Sequence, residues 1–351
     1  MKYFSDLEKN SKITRRGRTD LLANDETSLA TRAAWLHFAG GLTQGEVATR
    51  LNVQSTKAHR LIARASREGL IRVFIDGAVA ECVELEEQLS ARYGLKFCQV
   101  APDLDDEPIP FKALASVGAR FLRAALERGQ DRIIGVGHGR TLAACVDHLP
   151  RTPAQSVRFV SLLGGLTRKF AANPFDVIHR LAERTGAEAY VMPVPFFANS
   201  AEDRAIIASQ RGVRDVLALA REATLLLVGI GTVDQEASLV SSGMIELAEL
   251  DGIKRAGAAG EVLGAFFDAR GRLVETELTA RTLALDVAGM KAKKAIAVAG
   301  GRRKGAAIRA ILESGHLYGL ITDERTAKEL VGQSPGPSAP AKARKAPHQT
   351  G

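Results

Sequence analysis

The sequence predicts a two-part α/β protein: a small helical unit with a helix-turn-helix pattern, then a larger domain in which strands and helices alternate around a parallel sheet. Three observations predict it. Between Ser28 and Asp76, capping residues, a tight turn and helical apolar spacing follow one another closely. After Tyr93-Gly94, short continuous apolar runs such as Leu225-Leu226-Leu227-Val228 alternate with longer helical stretches, as in a sheet covered on both faces. The charge is also uneven. Residues 1–75 carry 13 Lys and Arg against 7 Asp and Glu, and the tail from Gln333 adds Lys342, Arg344 and Lys345 with no acid. The 257 residues between them sum to −1 within a total of +8, which leaves a neutral body with a basic head. That distribution suits a nucleic-acid-binding module joined to another domain, although solubilising surface has the same composition.

A length of 351 residues, 46% of them hydrophobic, allows a sizeable core and two domains. No run approaches the ~20 apolar residues that span a bilayer, and the first residues form no apolar signal segment. A cytoplasmic protein is expected. Cys82, Cys98 and Cys145 are odd in number and widely spaced, which fits reduced structural thiols and gives no metal-ligand pattern. Neither a metal nor a cofactor is expected.

In chain order, residues 1–27 read as a flexible basic arm, 28–77 as the helix-turn-helix unit of a winged type, 78–332 as the larger domain, and 333–351 as a disordered basic tail. Thr43 and Glu46 stand at capping-box spacing and start a helix whose buried face is Val47, Ala48 and Leu51. Asn52-Val53 turns the chain, and Gln54 or Ser55 begins a second helix with Ala58, Leu61, Ile62 and Ala65 inward. That leaves Ser55, Thr56, Lys57, His59, Arg60 and Arg64 facing solvent. A second helix with small inward residues and a polar N-terminal outer face can enter a major groove, so Gln44, Gln54 and these six are the candidate DNA contacts. An ordinary helical hairpin with a solvated charged face is the competing reading. Gly69 to Ile75 reads as a turn and a strand, the wing.

A helix is expected over Val79–Arg92, capped by Gly94. Strands are expected at Lys96–Val100, Arg132–Val136, Arg158–Leu163, Ala189–Met192, Leu225–Gly229, Ala295–Ala299 and Leu317–Ile321. Helices between them are expected at Phe111–Arg128, Pro174–Thr185, Asp203–Gln210, Arg214–Arg221 and Lys304–Ser314. The domain is Rossmann-like. Glycine-rich turns follow three strands, at Gly135–Gly139, Gly229–Gly231 and Gly300-Gly301, and mark the carboxyl-end rim where open α/β sheets bind ligands.

The order of these motifs resembles that of the SorC-type regulators of carbohydrate operons, whose effector domain is shared with some DeoR-named proteins. The resemblance spans about Ser28 to Val331 and is carried by Gln44–Ala48, Ala65–Gly69, Ile134–Leu142, Leu227–Gly231, Gly257–Asp268, Val298–Gly301 with Lys304, and Leu320–Glu324. It implies a regulator, not an enzyme, that binds operator double-stranded DNA as a homodimer or homotetramer. It also implies a small sugar, sugar phosphate or polyol effector, held in a domain similar to sugar-phosphate isomerases and deaminases. Two departures stand out: Gln54-Ser55-Thr56-Lys57, where relatives more often show Ser with Arg and Pro, and His138, in a place often taken by Trp. The run from Gln54 to His59 faintly resembles polyol-operon members of the family.

The candidate effector residues are Gly137, Gly139, Arg140, Thr141, Glu261 and Lys304. The two glycines would let backbone N–H groups approach an anion at a helix N-terminus, with Thr141 donating a hydroxyl hydrogen bond. Arg140 either pairs with a phosphate or points to solvent from a tight turn. Glu261 is expected in a loop before an apolar strand, accepting from sugar hydroxyls. Lys304 at a helix start opposes the helix dipole, which an anion would justify; otherwise it is one surface cation beside Arg302 and Arg303. Asp268 reads as a turn acid, and Asn173 as a cap or a sugar contact. An isomerase or deaminase fused to a DNA-binding head is the alternative, with Glu261 as its base and no convincing second acid.

Overall fold

Alanine-rich faces build the first helices, because small side chains let short helices pack closely. The computed structural model describes residues 26–68, 70–71, 79–104, 110–167, 173 and 175–332. The chain divides into two units between Ile75 and Asp76. In the first, helix α1 covers 26–34, which takes in two residues expected in the arm, and one π-helical turn, Trp35–Ala39, extends it. Helices α2 (Gln44–Leu51) and α3 (Ser55–Arg67) follow. The expected capping box opens α2: Thr43 Oγ1 accepts from the Glu46 amide at 3.3 Å, and Glu46 Oε2 accepts from the Thr43 amide at 2.8 Å. Asn52 closes α2 in the left-handed region at φ 51°, a conformation its short polar side chain tolerates. Ala30, Ala33, Ala34, Val47, Ala48, Ala58, Leu61, Ile62 and Ala65 form the core of this unit. The wing expected over 69–75 falls largely outside the described residues; Leu70 and Ile71 are described and form no strand.

The second unit opens with α4 (Ala80–Tyr93), ended by Gly94 at φ 67° as expected. In chain order come β1 (Phe97–Ala101), α5 (Phe111–Arg128), β2 (Ile133–Val136), α6 (Arg140–His148), β3 (Arg158–Ser161), α7 (Ile178–Thr185) and β4 (Glu188–Tyr190). Then follow α8 (Ala201–Ser209), α9 (Arg211–Glu222), β5 (Leu225–Val228), β6 (Gly231–Thr232), α10 (Ser238–Ser241), α11 (Leu247–Arg255) and β7 (Ala258–Val262). The last are β8 (Ala265–Asp268), β9 (Leu273–Val274), α12 (Glu277–Ala280), β10 (Lys294–Val298), α13 (Gly305–Glu313), β11 (Gly319–Asp323) and α14 (Glu324–Gly332).

Seven strands form one sheet in the order β1-β11-β10-β5-β2-β3-β4, with every pairing parallel. All four residues of β2 and of β5 are buried, so both faces of the sheet are covered. From β2 the chain steps outward through β3 and β4, then returns to lay β5 on the other side of β2. That reversal is a topological switch point, the place where such sheets open a crevice at their carboxyl ends.

A second sheet, β6-β7-β8-β9, is antiparallel and was not expected. It places Glu261 within β7 rather than in a loop. Gly260 explains the position: a Cβ there would lie 2.6 Å from the Ala307 carbonyl oxygen of α13, so only glycine lets the strand approach that helix. Leu263 (φ 50°) and Gly264 (φ 77°) make the two-residue turn of the β7–β8 hairpin, the left-handed pair that matches strand twist. Asp268 is the turn acid expected, accepting from the amides of Arg270 and Arg272 at 2.9 Å each. Asn173 Oδ1 accepts from the Phe175 amide at 3.0 Å, and α7 begins only at Ile178, so the helix expected from Pro174 is shorter.

Candidate functional site

Three adjacent strands, β10, β5 and β2, deliver their C-terminal turns to one cleft of ≈ 670 Å³ including its open mouth. Its lining takes Gly137, His138, Gly139, Arg140 and Thr141 after β2, Gly229 to Gly231 after β5, and Lys304 after β10. Glu261 and Leu263 reach it from the antiparallel sheet, and Leu163 and Phe196 give it an apolar side. All six residues expected at the effector site therefore line the same cleft, although they lie on segments distant in sequence.

The glycines act differently from the sequence expectation. The Gly137 amide donates to the Leu227 carbonyl at 2.8 Å, and the Gly139 amide to the Phe175 carbonyl at 3.2 Å. Neither N–H is left for an anion. The amides of Arg140, Thr141 and Leu142, in the first turn of α6, take no backbone acceptor among the described residues, so the helix itself is the donor. Gly139, at φ 127°, provides the sharp entry that aims this turn at the cleft.

Lys304 Nζ donates to the Ile230 carbonyl at 2.8 Å, a bond that ties the β10 turn to the β5 turn. Burial, and then the positive charge of Arg140, push the Lys304 ammonium down to about 8, against the pull of Glu261 and Asp234. Two cations are thus held near each other, Arg140 at the start of α6 and Lys304 just before α13, an arrangement that a bound anion would relieve. It removes Lys304 from the plain surface cluster with Arg302 and Arg303. Glu261 is buried, and its Oε1 accepts from the Gly264 amide at 2.6 Å. Burial pushes its carboxyl up to about 7, opposed by that bond and by Lys304. Gly231 leaves room for it, since a Cβ there would displace Glu261 Oε2. Thr141 is buried at the second position of α6.

The sequence marks His138 as a departure from family pattern that could change which sugar fits, and the structure gives it a defined setting. Its ring packs edge-on against Phe196 at 5.3 Å, and its buried Nδ1 has no hydrogen-bond partner among the described residues. Burial pushes the imidazole down to about 4, so it is neutral. The signal available in sequence was its place between two glycines at a strand-to-helix turn.

In the first unit, Gln44, Gln54, Ser55, Thr56, Lys57, His59 and Arg60 are all exposed. Ser55 starts α3, so Ser55, Thr56 and Lys57 occupy its first turn. Gln44 Oε1 lies 3.2 Å from His59 Nδ1, a contact that links the start of α2 to α3. Arg64 corrects the expectation. It is half-buried, and its guanidinium pairs with Glu68 at 2.7 Å and with Glu26 of α1 at 2.6 Å. It braces α3 against α1 rather than facing outward, because Glu68 one turn on and the start of α1 lie on its side of the helix.

The cysteines are free, and burial pushes the Cys98 and Cys145 thiols up to about 12, so both are inert. No described helix is long and apolar enough to cross a membrane.

A helix-turn-helix unit with a polar, cationic second helix, followed by a doubly covered parallel sheet with a cleft at its switch point, defines a ligand-responsive transcription regulator. Residues 78–332 match the family model described as "Putative sugar-binding domain", and the chain belongs to the SorC family of sugar-binding transcriptional regulators. The erythritol catabolism regulatory protein EryD of Brucella abortus is 56% identical over 90% of this chain and 100% of its own length. The transcriptional regulator LsrR of Klebsiella pneumoniae is 34% identical over 91% of this chain and 98% of its own. The crystal structure of the full-length sorbitol operon regulator SorC from Klebsiella pneumoniae superposes with a TM-score of 0.66 at 24% identity, covering 87% of this chain and 98% of that one, and shares the fold.

Proposed function

We propose that this chain regulates a polyol catabolic operon, and that a phosphorylated polyol or sugar in the cleft sets its affinity for operator DNA. The observation that carries the proposal is a single cleft lined by Arg140, Lys304 and the open first turn of α6 together with buried Glu261. The cationic groups suit a phosphate, and the carboxylate suits hydroxyls. The 56% identity to a regulator named for erythritol catabolism supports a four-carbon polyol phosphate as the effector. The segments 28–77 and 78–332 act as the DNA-binding and effector domains.

On DNA, Ser55, Thr56 and Lys57 reach base edges and flanking phosphates, with Gln54, His59 and Arg60 beside them and Gln44 fixing His59. Pseudo-palindromic operators call for a homodimer or homotetramer. Sensing is favoured over turnover: Glu261 is the one carboxylate among the described residues lining the cleft, and proton shuttling between sugar carbons needs a positioned base with a partner acid. The chain acts in the cytoplasm.

An effector shifts operator affinity only through its unequal affinity for two arrangements of the protein. Calorimetry and operator titrations with erythritol 4-phosphate, on wild type and Lys304→Ala, test this reading. Ligand at a hundredfold excess over Kd should stabilise the wild type by ~2.7 kcal/mol. In Lys304→Ala most of that stabilisation and the change in operator affinity should disappear, while operator binding without ligand persists. An undiminished response in both assays would place the effector elsewhere.

A further inference from the structure

The backbone on both sides of His138 is pinned, by the Gly137 amide on Leu227 and the Gly139 amide on Phe175. Phe196 then fixes the ring by an edge-on contact at an interplanar angle of 85°. The imidazole lies in the cleft wall, and its enclosed Nδ1 is paired with nothing among the described residues. A buried polar nitrogen without a partner is a standing penalty, and such groups are retained where a ligand or a special role accounts for them. A neutral imidazole offers one donor and one acceptor, which suits a hydroxyl and supplies no countercharge for an anion.

Charge across the cleft points the same way. Arg140, Lys304 and the first turn of α6 supply the positive groups of the cleft, and His138 and Glu261 line it without adding a cation. Resting on the polyol-phosphate reading above, we infer that His138 is the specificity-determining residue of the cleft. Its imidazole hydrogen-bonds a chain hydroxyl of the ligand, and the site takes polyol monophosphates while rejecting ligands that carry a second anionic group. The ring shifts enough on binding for a nitrogen to meet that hydroxyl, and the unpaired state of the free protein is relieved.

The test uses the full chain and three probes: inorganic phosphate, erythritol 4-phosphate, and 4-phosphoerythronate, which replaces a terminal alcohol by a carboxylate. Wild type should bind erythritol 4-phosphate at least tenfold more tightly than 4-phosphoerythronate. His138→Phe keeps a planar ring without nitrogen; it should lose about tenfold for erythritol 4-phosphate and keep its affinity for inorganic phosphate. His138→Asn, which returns a polar atom near the Nδ1 position, should recover part of the loss. His138→Leu serves the same comparison if the larger ring is not accommodated. Erythritol 4-phosphate bound by His138→Phe or His138→Leu within twofold of wild type overturns the role of His138, as does equal wild-type affinity for the two four-carbon ligands. A wild type that binds neither phosphate nor erythritol 4-phosphate overturns the polyol-phosphate reading itself, and the role of His138 with it.

Discussion

Replacing Glu261 by Gln should change how the stability of the effector unit depends on pH, and the sign follows from the cleft. In the fold, Glu261 keeps its proton up to about 7, where a carboxyl of its type ordinarily releases it at 4.5. Between those values the folded state binds the extra proton, so this group's stabilisation is full at low pH and lost as pH rises to about 7. That interval, at about 1.4 kcal/mol per pH unit, corresponds to about 3 kcal/mol. Lys304 acts in the opposite sense: it releases its proton at about 8 in the fold against 10.5 ordinarily, so its contribution rises as pH climbs from about 8 to 10.5. Together they make the free cleft least stable between pH 7 and 8. Glu261→Gln retains an oxygen to accept the Gly264 amide and cannot ionise, so it lacks the falling limb. Urea unfolding at pH 4.5, 6 and 7.5 should show wild type losing about 3 kcal/mol more than the variant across the range, or roughly 6–12 °C in Tm for a unit of this size. Parallel profiles for the two proteins would refute the burial argument for Glu261.

Gly231→Ala should force the Glu261 carboxylate aside, because the added methyl collides with Oε2, and calorimetry should show effector affinity lost with the fold retained. The Lys57→Ala/Arg60→Ala pair should weaken operator binding and flatten its dependence on salt by about one unit of log–log slope per lost phosphate contact, as read by titration at several salt concentrations. Arg64→Ala should instead lower the melting temperature of the DNA-binding unit, by freeing α3 from Glu26 of α1, and leave the salt slope of any remaining binding unchanged.

The parallel sheet was legible in sequence because its strands are buried on both faces and so read as unbroken apolar runs; Leu225–Val228 is the clearest case. The antiparallel sheet was not legible, for a reason visible at β7. Ala258-Ala259-Gly260-Glu261 has none of the branched or aromatic residues that announce a strand, and at Gly260 the approach of α13 leaves no room for a side chain. The hairpin turn was hidden as well, because Leu263 stands at a left-handed position that usually carries Asn, Asp or Gly. At the cleft, the sequence pointed to Arg140, Glu261 and Lys304, and all three line it. It could not reveal that the two glycine amides are spent on Leu227 and Phe175, which is a matter of backbone pairing across the sheet. Arg64 was misplaced because periodicity gives the angle of a residue around its own helix but not what lies against it; Glu26, 38 positions away, does.

The strand order bears on how the protein is made. β1, the first strand of the sheet to be synthesised, pairs with β11, the last, along five residues from Phe97↔Gly319 to Ala101↔Asp323. On the ribosome, β1 must wait for more than two hundred residues before β11, its partner in the sheet, emerges. The buried core of the helix-turn-helix unit draws on residues 30 to 65, with Leu29 and Ile71 packed against it, all synthesised long before β11. A chain cut short before Gly319 would therefore carry a completed DNA-reading head on a sheet with an unpaired apolar edge, the kind of surface that recruits other chains.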